Sequence, residues 1–400
     1  MITDIIEQFP ILESGDVYLD SAATSLTPEA VLAAVNEHYH QRRANVHRAH
    51  HRLAEAATER YEAARDIVAR WLGTTTDRYH VVFTSGFTAA ANLAASLVEG
   101  SVDGVVVCQE NHHSNILPWS RLSTRCKESL ISLPNCPVDN IPTVSGTRLI
   151  AAQTLGNVLG ELWPVARLCR QAREQGHWLF LDLAQSAARI RHDLDQWQPA
   201  FAAFSSHKIY GPTGSGALLV RRDVAERITG FGNRAPLGGG TVVNVDVDLR
   251  PTWTEPPALW EAGTPNLAGV DGMVAAINWM QSLGIDAIAD HDRKISAYLL
   301  DRLETVAGIE IIGAGTKTGL VSFNLQGLAS EDIARSLGAQ RIAVRAGGLC
   351  ANPFLKMYSN FGGTAIRASI AAYTTTADVD KLVSALNKTV ERLGHAKHNQ

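Results

Sequence analysis

Six stretches in the middle of the chain are apolar almost throughout. They are HVVFTSG (80–86), GVVVCQ (104–109), RLIAAQT (148–154), WLFLDLA (178–184), AFAAFS (200–205) and GALLVR (216–221). Their length and β-branched content predict buried strands. Between them, TAAANLAASLV (88–98) and PVARLCRQAREQG (164–176) carry helical patterning. Continuous apolar strands alternating with helices predict an α/β fold with a mostly parallel sheet covered on both faces.

The flanks read differently. Near the N-terminus, Thr27-Pro28-Glu29 has the order of a helix start: a hydroxyl cap, proline at the first helical position, then an acid. Leu53 to Leu72 is a second helix. Beyond Gly269, two helices (269–283 and 290–306) precede the short runs IEIIG, GLVSFNL, RIAVRAG and AIRASIAA, and a last helix spans 377–393. This predicts a large domain over 16–268 and a smaller α+β domain made of 1–15 and 269–400.

Composition narrows the class by exclusion. The net charge is −4 and no segment carries a stripe of Lys and Arg, so neither nucleic acid nor an anionic membrane is an expected partner. No apolar run approaches a membrane span, and MITDIIEQFP lacks a basic leader, so a cytoplasmic location is expected. The five cysteines are odd in number with no CxxC pair, which argues against a disulfide framework or a zinc site.

The candidate chemistry sits at strand ends, where parallel sheets keep it. Thr84-Ser85-Gly86-Phe87-Thr88 joins a strand to a helix and offers backbone N–H groups to a phosphate; an ordinary capped turn looks the same. Asp182 closes WLFLD, where it either pairs with a protonated ring nitrogen or caps the next helix. Lys208 closes the following strand in FSSHKIYGPTGSG, 26 residues on. A lysine is rarely fully buried without a partner, and one with a lowered pKa forms Schiff bases. A phosphate cradle, an acid for a pyridinium and an imine-forming lysine are the parts a pyridoxal phosphate site needs. His112 and His113 follow another strand, but no acid or cysteine completes a metal set there; stacking on a planar cofactor suits His112 better. Cys350 lies in VRAGGLCANP, a loop expected to be flexible, with Arg345 and Arg367 near it in sequence. Electropositive surroundings favour a thiolate.

Taken together, these residues resemble the class V, fold-type I pyridoxal-phosphate enzymes, and among them the cysteine desulfurases of the SufS/CsdA type (group II, selenocysteine lyase-like). The resemblance spans nearly the whole chain. It rests on YLDSAAT (18–24), NVHR (45–48), NHHSNILPW (111–119), LGNVLG (155–160), DLAQ (182–185), SSHKIYGPTGSG (205–216), EAGTPN (261–266), VRAGGLCANP (344–353) and IRASIAAYTT (366–375). It implies a seven-stranded type of sheet in the large domain, and a homodimer with active sites at the subunit interface.

The resemblance also implies roles. Lys208 would form the Schiff base with pyridoxal phosphate and remove the substrate α-proton. Asp182 would pair with the pyridine nitrogen, Gln185 would reach the ring hydroxyl, and Asn157 would contact both cofactor and substrate. Thr88, Ser205 and His207 would hold the phosphate, joined by Thr264 from the partner subunit. His112 would stack on the ring, Arg367 would grip the substrate carboxylate, and His47 would lie at the substrate. Cys350 would take the sulfur of L-cysteine as a persulfide and release L-alanine. A SufE-like acceptor or a scaffold protein is the implied partner. Selenocysteine lyase, another C–S lyase or an epimerase would share this cofactor site, and an inactive scaffold is the non-enzymatic alternative. The sequence departs from the family at Asn111, where an acid usually precedes the His pair, and at Phe87 and Ala89 in the phosphate turn. It departs again at Gly348-Leu349 before the nucleophile.

Overall fold

In the computed structural model, residues 5–47, 50–138, 141, 146–228, 238–358 and 362–398 are described. Arg48, the last residue of the NVHR motif, lies outside them, as do residues 1–4 and 399–400 of the segments assigned to the small domain. The strands in chain order begin with β1 (Val17–Tyr18), β2 (Tyr79–Thr84), β3 (Gly104–Cys108), β4 (Ile131–Leu133) and β5 (Arg148–Gln153). Then come β6 (Trp178–Asp182), β7 (Phe201–Ser205), β8 (Gly216–Arg221) and the pair β9 (Val242–Val245) and β10 (Pro251–Trp253). The last are β11 (Ile309–Ile311), β12 (Leu320–Leu325), β13 (Ile342–Ala343), β14 (Arg345–Gly347) and β15 (Ala365–Ser369).

All six apolar runs enter one seven-stranded sheet of order β2-β8-β7-β6-β5-β3-β4. Strands β3 to β7 pair in parallel, and β8 alone runs against both its neighbours. The α/β expectation with a mostly parallel sheet therefore describes this fold. Side chains alternate between two apolar layers. Ile150, Ala152, Leu179, Leu181 and Phe204 face one layer, and Leu149, Ala151, Phe180, Phe201 and Ala203 the other. Burying each large side chain contributes roughly 1.5–3 kcal/mol. Because both faces are covered, these strands carry no polar alternation. The helix Phe87–Val98 packs on β7 and β8 through buried Ala90, Ala91 and Ala94.

A second sheet of four antiparallel strands has the order β11-β12-β15-β14. It shares an apolar cluster with the helices Ile285–Glu304, Ser330–Ala339 and Thr376–His398. Strand β1 pairs with β13, and an isolated bridge from Asp20 to Ser369 brings the YLDSAAT segment beside β15.

The structure departs from the sequence expectations in four places. Strand β4 has three residues at the sheet edge, too few for its pattern to be read. RIAVRAG is divided between β13 and β14, which belong to different sheets. Pro28, extended at φ −75° and ψ 156°, is itself the cap of the first helix, which starts at Glu29, so Thr27 is not the capping residue. The helix expected from 290 begins at Ile285, directly behind Gly284.

Candidate active site

Parallel β5, β6 and β7 end together, and their register places Gln153 opposite Asp182 and Asp182 opposite Ala203. Ser205 ends β7, and one 3-10 turn, Ser206–Lys208, carries the lysine to the same sheet edge. A cavity of about 280 Å³ opens there. Thr88, His112, Asn157, Asp182, Gln185, Ser205, His207, Lys208, Cys350 and Arg367 all line it. Two glycines allow this approach. A Cβ on Gly216 would stand 2.5 Å from the Phe204 carbonyl oxygen, and Gly86 has φ +141° against Ser205.

Opposed charges set the protonation of the two central groups. Withdrawal from water lowers the Lys208 ammonium to about 8, against the favourable pull of Asp182 and with further help from the Arg367 charge. Burial raises Asp182 to about 6, while the Ala184 N–H and Lys208 act to lower it. The Ala184 N–H donates to Asp182 Oδ1 at 2.8 Å. One Asp182 oxygen thus caps a turn, not the helix expected there, and the residue lines the cavity. Gln185 donates from Nε2 to the Ala22 carbonyl at 2.8 Å, which fixes its amide at the wall.

At one end of the cavity is the N-terminus of the helix Phe87–Val98. The Phe87 N–H donates to Ser205 Oγ at 2.7 Å, and Thr88 Oγ1 donates to Ser114 Oγ at 2.9 Å. His207 Nδ1 meets Thr24 Oγ1 at 3.2 Å. The Ser114 N–H donates to His112 Nδ1 at 3.1 Å, so a neutral His112 carries its proton on Nε2. Burial, together with the positive charges of Lys208 and Arg367, pushes His112 down to about 3 and keeps the ring neutral.

At the other end is Arg367 on β15. Its Nη1 donates to the Asn157 carbonyl at 3.0 Å, and its Nη2 lies 3.6 Å from Asp20 Oδ1. Its Nε is buried without a hydrogen-bond partner among the described residues, as is Asn157 Oδ1. A buried guanidinium with an unused donor is suited to a carboxylate ligand. Arg345, opposite Arg367 in register on β14, pairs with Asp20 at 2.7 Å and also lines the cavity.

The Cys350 loop is held rather than loose. The Cys350 carbonyl accepts from the His113 N–H at 2.8 Å, and the Leu349 carbonyl accepts from Asn157 Nδ2 at 2.9 Å. Leu349 (φ 45°) and Cys350 (φ 54°) are both left-handed, a conformation that costs a side-chain-bearing residue about 1–2 kcal/mol. The expectation of a flexible loop is corrected to this extent: its backbone is tied to two walls of the cavity, and the Cys350 side chain remains exposed.

His47 and Thr264 do not reach this cavity within one chain. They line a separate one of about 260 Å³ with Asn45, Tyr61, Glu261 and neighbouring residues. Asp20 was not singled out from the sequence. Only the distant pairing of β1 with β13 and the bridge to Ser369 brings its carboxylate to Arg345, 325 residues away. No group of three or more potential metal-ligating His, Cys, Asp or Glu residues occurs among the described residues.

An amine beside a carboxylate, a helix N-terminus lined by hydroxyls and imidazole, and a guanidinium with an unused donor suit a phosphate-bearing aromatic aldehyde and an amino acid. Fold and donor set together define an α/β enzyme of the pyridoxal-phosphate-dependent class. The chain belongs to the class-V aminotransferase family, whose pattern matches residues 17–382. A probable cysteine desulfurase of Halalkalibacterium halodurans is 36% identical, with 98% of each chain aligned. One from Staphylococcus aureus is 34% identical over 98% of this chain and 97% of the relative. The apo cysteine desulfurase of Thermococcus onnurineus superposes with a TM-score of 0.87 at 32% identity, covering 97% of this chain and 98% of that one. The cysteine desulfurase CsdA of Escherichia coli gives 0.86 at 32% identity over 98% of both chains.

Proposed function

We propose that this protein is a pyridoxal-phosphate-dependent cysteine desulfurase. It converts L-cysteine to L-alanine and holds the sulfur as a persulfide on Cys350 for an acceptor. The observation that carries this reading is the placing of an exposed thiol on a tethered loop in the same cavity as Lys208, Asp182 and Arg367. The desulfurase names of full-length relatives support it.

When bound, pyridoxal phosphate supplies the electron sink that makes the substrate Cα–H acidic. Asp182 holds the positive charge at the ring nitrogen. Thr88, Ser205 and His207 would take the phosphate, Gln185 would reach the ring hydroxyl, Asn157 would contact cofactor and substrate, and the His112 ring would stack. Arg367 grips the substrate carboxylate through its unused donor. Lys208 Nζ, whose pKa burial lowers to about 8 so that the neutral amine is within reach, takes the α-proton. The Cys350 thiolate attacks the substrate sulfur: an S–S bond forms, the Cβ–S bond breaks, the electron pair left on Cβ is protonated, and Lys208 returns a proton to Cα to give alanine. Mixing L-cysteine with the yellow protein and assaying alanine tests the reading; pyruvate with ammonia instead would make it a lyase.

The free lysine gives a pH signature. Only the neutral amine captures an aldehyde, so uptake of pyridoxal phosphate by the apoprotein is expected to accelerate up to a pH of about 8 and then level off. Stopped-flow absorbance across pH 6–10 measures this. A rate still climbing toward pH 10 would mean that Lys208 has an ordinary amine pKa.

A homodimer belongs to the same reading, because His47 and Thr264 line a cavity apart from Lys208 and serve the site of a second copy. Thr264→Ala is expected to weaken cofactor affinity roughly tenfold through loss of one charge-assisted hydrogen bond. Equilibrium dialysis against pyridoxal phosphate reads that change, and unchanged affinity would remove Thr264 from the site. A sulfur acceptor of the SufE-like kind or a scaffold protein would meet the exposed Cys350, and selenocysteine fits the same groups as cysteine. We place the protein in the cytoplasm, where its free thiols stay reduced. None of the described helices is long and apolar enough to cross a membrane. We take the working units as 16–268 and 1–15 with 269–400; the seven-stranded sheet falls in the first and the four-stranded sheet in the second.

A further inference from the structure

One buried acid takes no part in the chemistry above. Glu110, just beyond β3, is 2% exposed, and its Oε1 accepts from Gln153 Nε2 at 3.0 Å and from Trp163 Nε1 at 3.4 Å. Gln153 lines the cavity, directly opposite Asp182 on the neighbouring parallel strand, where backbones run about 4.8 Å apart. The third member of the arrangement is Gly156. A Cβ there would stand 2.6 Å from Glu110 Oε1 and 3.4 Å from Gln153 Nε2, so the glycine leaves the carboxyl its room.

A primary amide beside a carboxylate tends to turn its NH₂ toward it. We propose that Glu110 is a positioning residue: by holding Gln153 Nε2 it keeps that amide from donating to Asp182, and so leaves the Asp182 carboxylate for the cofactor ring nitrogen. This inference rests on the pyridoxal phosphate reading of the site. Glu161 and Lys317 also face Glu110, from the loops after β5 and before β12, and Cys108 faces it from β3. Burial raises Glu110 to about 7, with Glu161 adding to the rise and Lys317 opposing it. Variants must therefore be compared at equal charge.

The test uses the holoenzyme and reads the pH midpoint of its visible absorption change. Glu110→Gln removes the charge but keeps an acceptor, and it serves as the reference. Glu110→Met frees the Gln153 amide to donate to Asp182. That weakens the hold on the ring-nitrogen proton, so the midpoint is expected to fall roughly half a unit below that of Glu110→Gln. Adding Gln153→Leu to Glu110→Met removes the competing donor and is expected to return the midpoint to the reference. Exchanging both partners for apolar side chains orphans neither of them and leaves only the Trp163 N–H without its Glu110 acceptor, a loss common to the single and the double variant. A structural role for Glu110 predicts no such rescue. Gly156→Ala, which pushes the carboxyl off Gln153 while keeping Glu110, is expected to lower the midpoint in the same direction, with the same rescue by Gln153→Leu. Equal midpoints for Glu110→Met and Glu110→Gln, or a double variant that stays low, overturn the inference and leave the cofactor reading standing. A wild-type protein with no visible band overturns both.

Discussion

Cys350→Ala is expected to abolish the conversion of L-cysteine to L-alanine, by on the order of a thousandfold or more, while the protein still binds its cofactor and stays yellow. The separation follows from the geometry. Lys208, Asp182 and Ser205 are positioned by β6, β7 and the turns after them, and none of their hydrogen bonds involves the Cys350 side chain. The loop itself is tied through backbone atoms, to His113 and Asn157, and alanine keeps those ties. Because the thiol is exposed, its removal is expected to change stability by only about 0.5 kcal/mol or less. Alanine and sulfide assays beside a visible spectrum decide the matter. Undiminished sulfide release from the variant would mean that sulfur leaves without Cys350, and the desulfurase reading would fall to a β-eliminating lyase. Loss of the yellow colour in the variant would instead show the loop to be part of the cofactor site.

Much of the large sheet was legible because burial on both faces removes polar alternation, so HVVFTSG, GVVVCQ and WLFLDLA read as strands without tertiary information. The candidate site was legible where chemistry clusters at strand ends, as with Asp182, Lys208 and the turn at Gly86. What stayed hidden depends on pairing between distant segments. Asp20 looks like any turn acid until β1 meets β13 and carries it to Arg345. RIAVRAG looks like one strand, yet its halves answer to different sheets. Glycines before Cys350 suggested looseness, but Asn157 and His113, from the segments after β5 and β3, hold that loop, a constraint no local pattern records. Asp182 was ambiguous between cap and cofactor ligand because a carboxylate has two oxygens and can serve both.

Lys208→Ala is expected to have the larger effect, a loss of about 10⁴-fold or more in alanine formation, because one side chain serves both as the cofactor's anchor and as the base for the α-proton. No neighbour is placed to replace it. His112 is held neutral at about 3 with Nδ1 occupied by the Ser114 N–H, and His207 is lowered to about 4 by burial. Arg367 keeps its charge, at about 10, and cannot act as a base near neutrality. The variant also removes the cation that draws Asp182 toward ionisation, so the acid is expected to rise further above its ordinary range. Borohydride reduction of the loaded protein followed by peptide mass analysis separates the two roles. In the wild type the cofactor should be fixed to the peptide that carries Lys208; in Lys208→Ala it should be fixed nowhere, and added methylamine should restore part of the proton transfer. Cofactor fixed to another lysine in the wild type would place the chemistry elsewhere, away from the end of β7, one strand from Asp182, where amine, acid and thiol share one cavity.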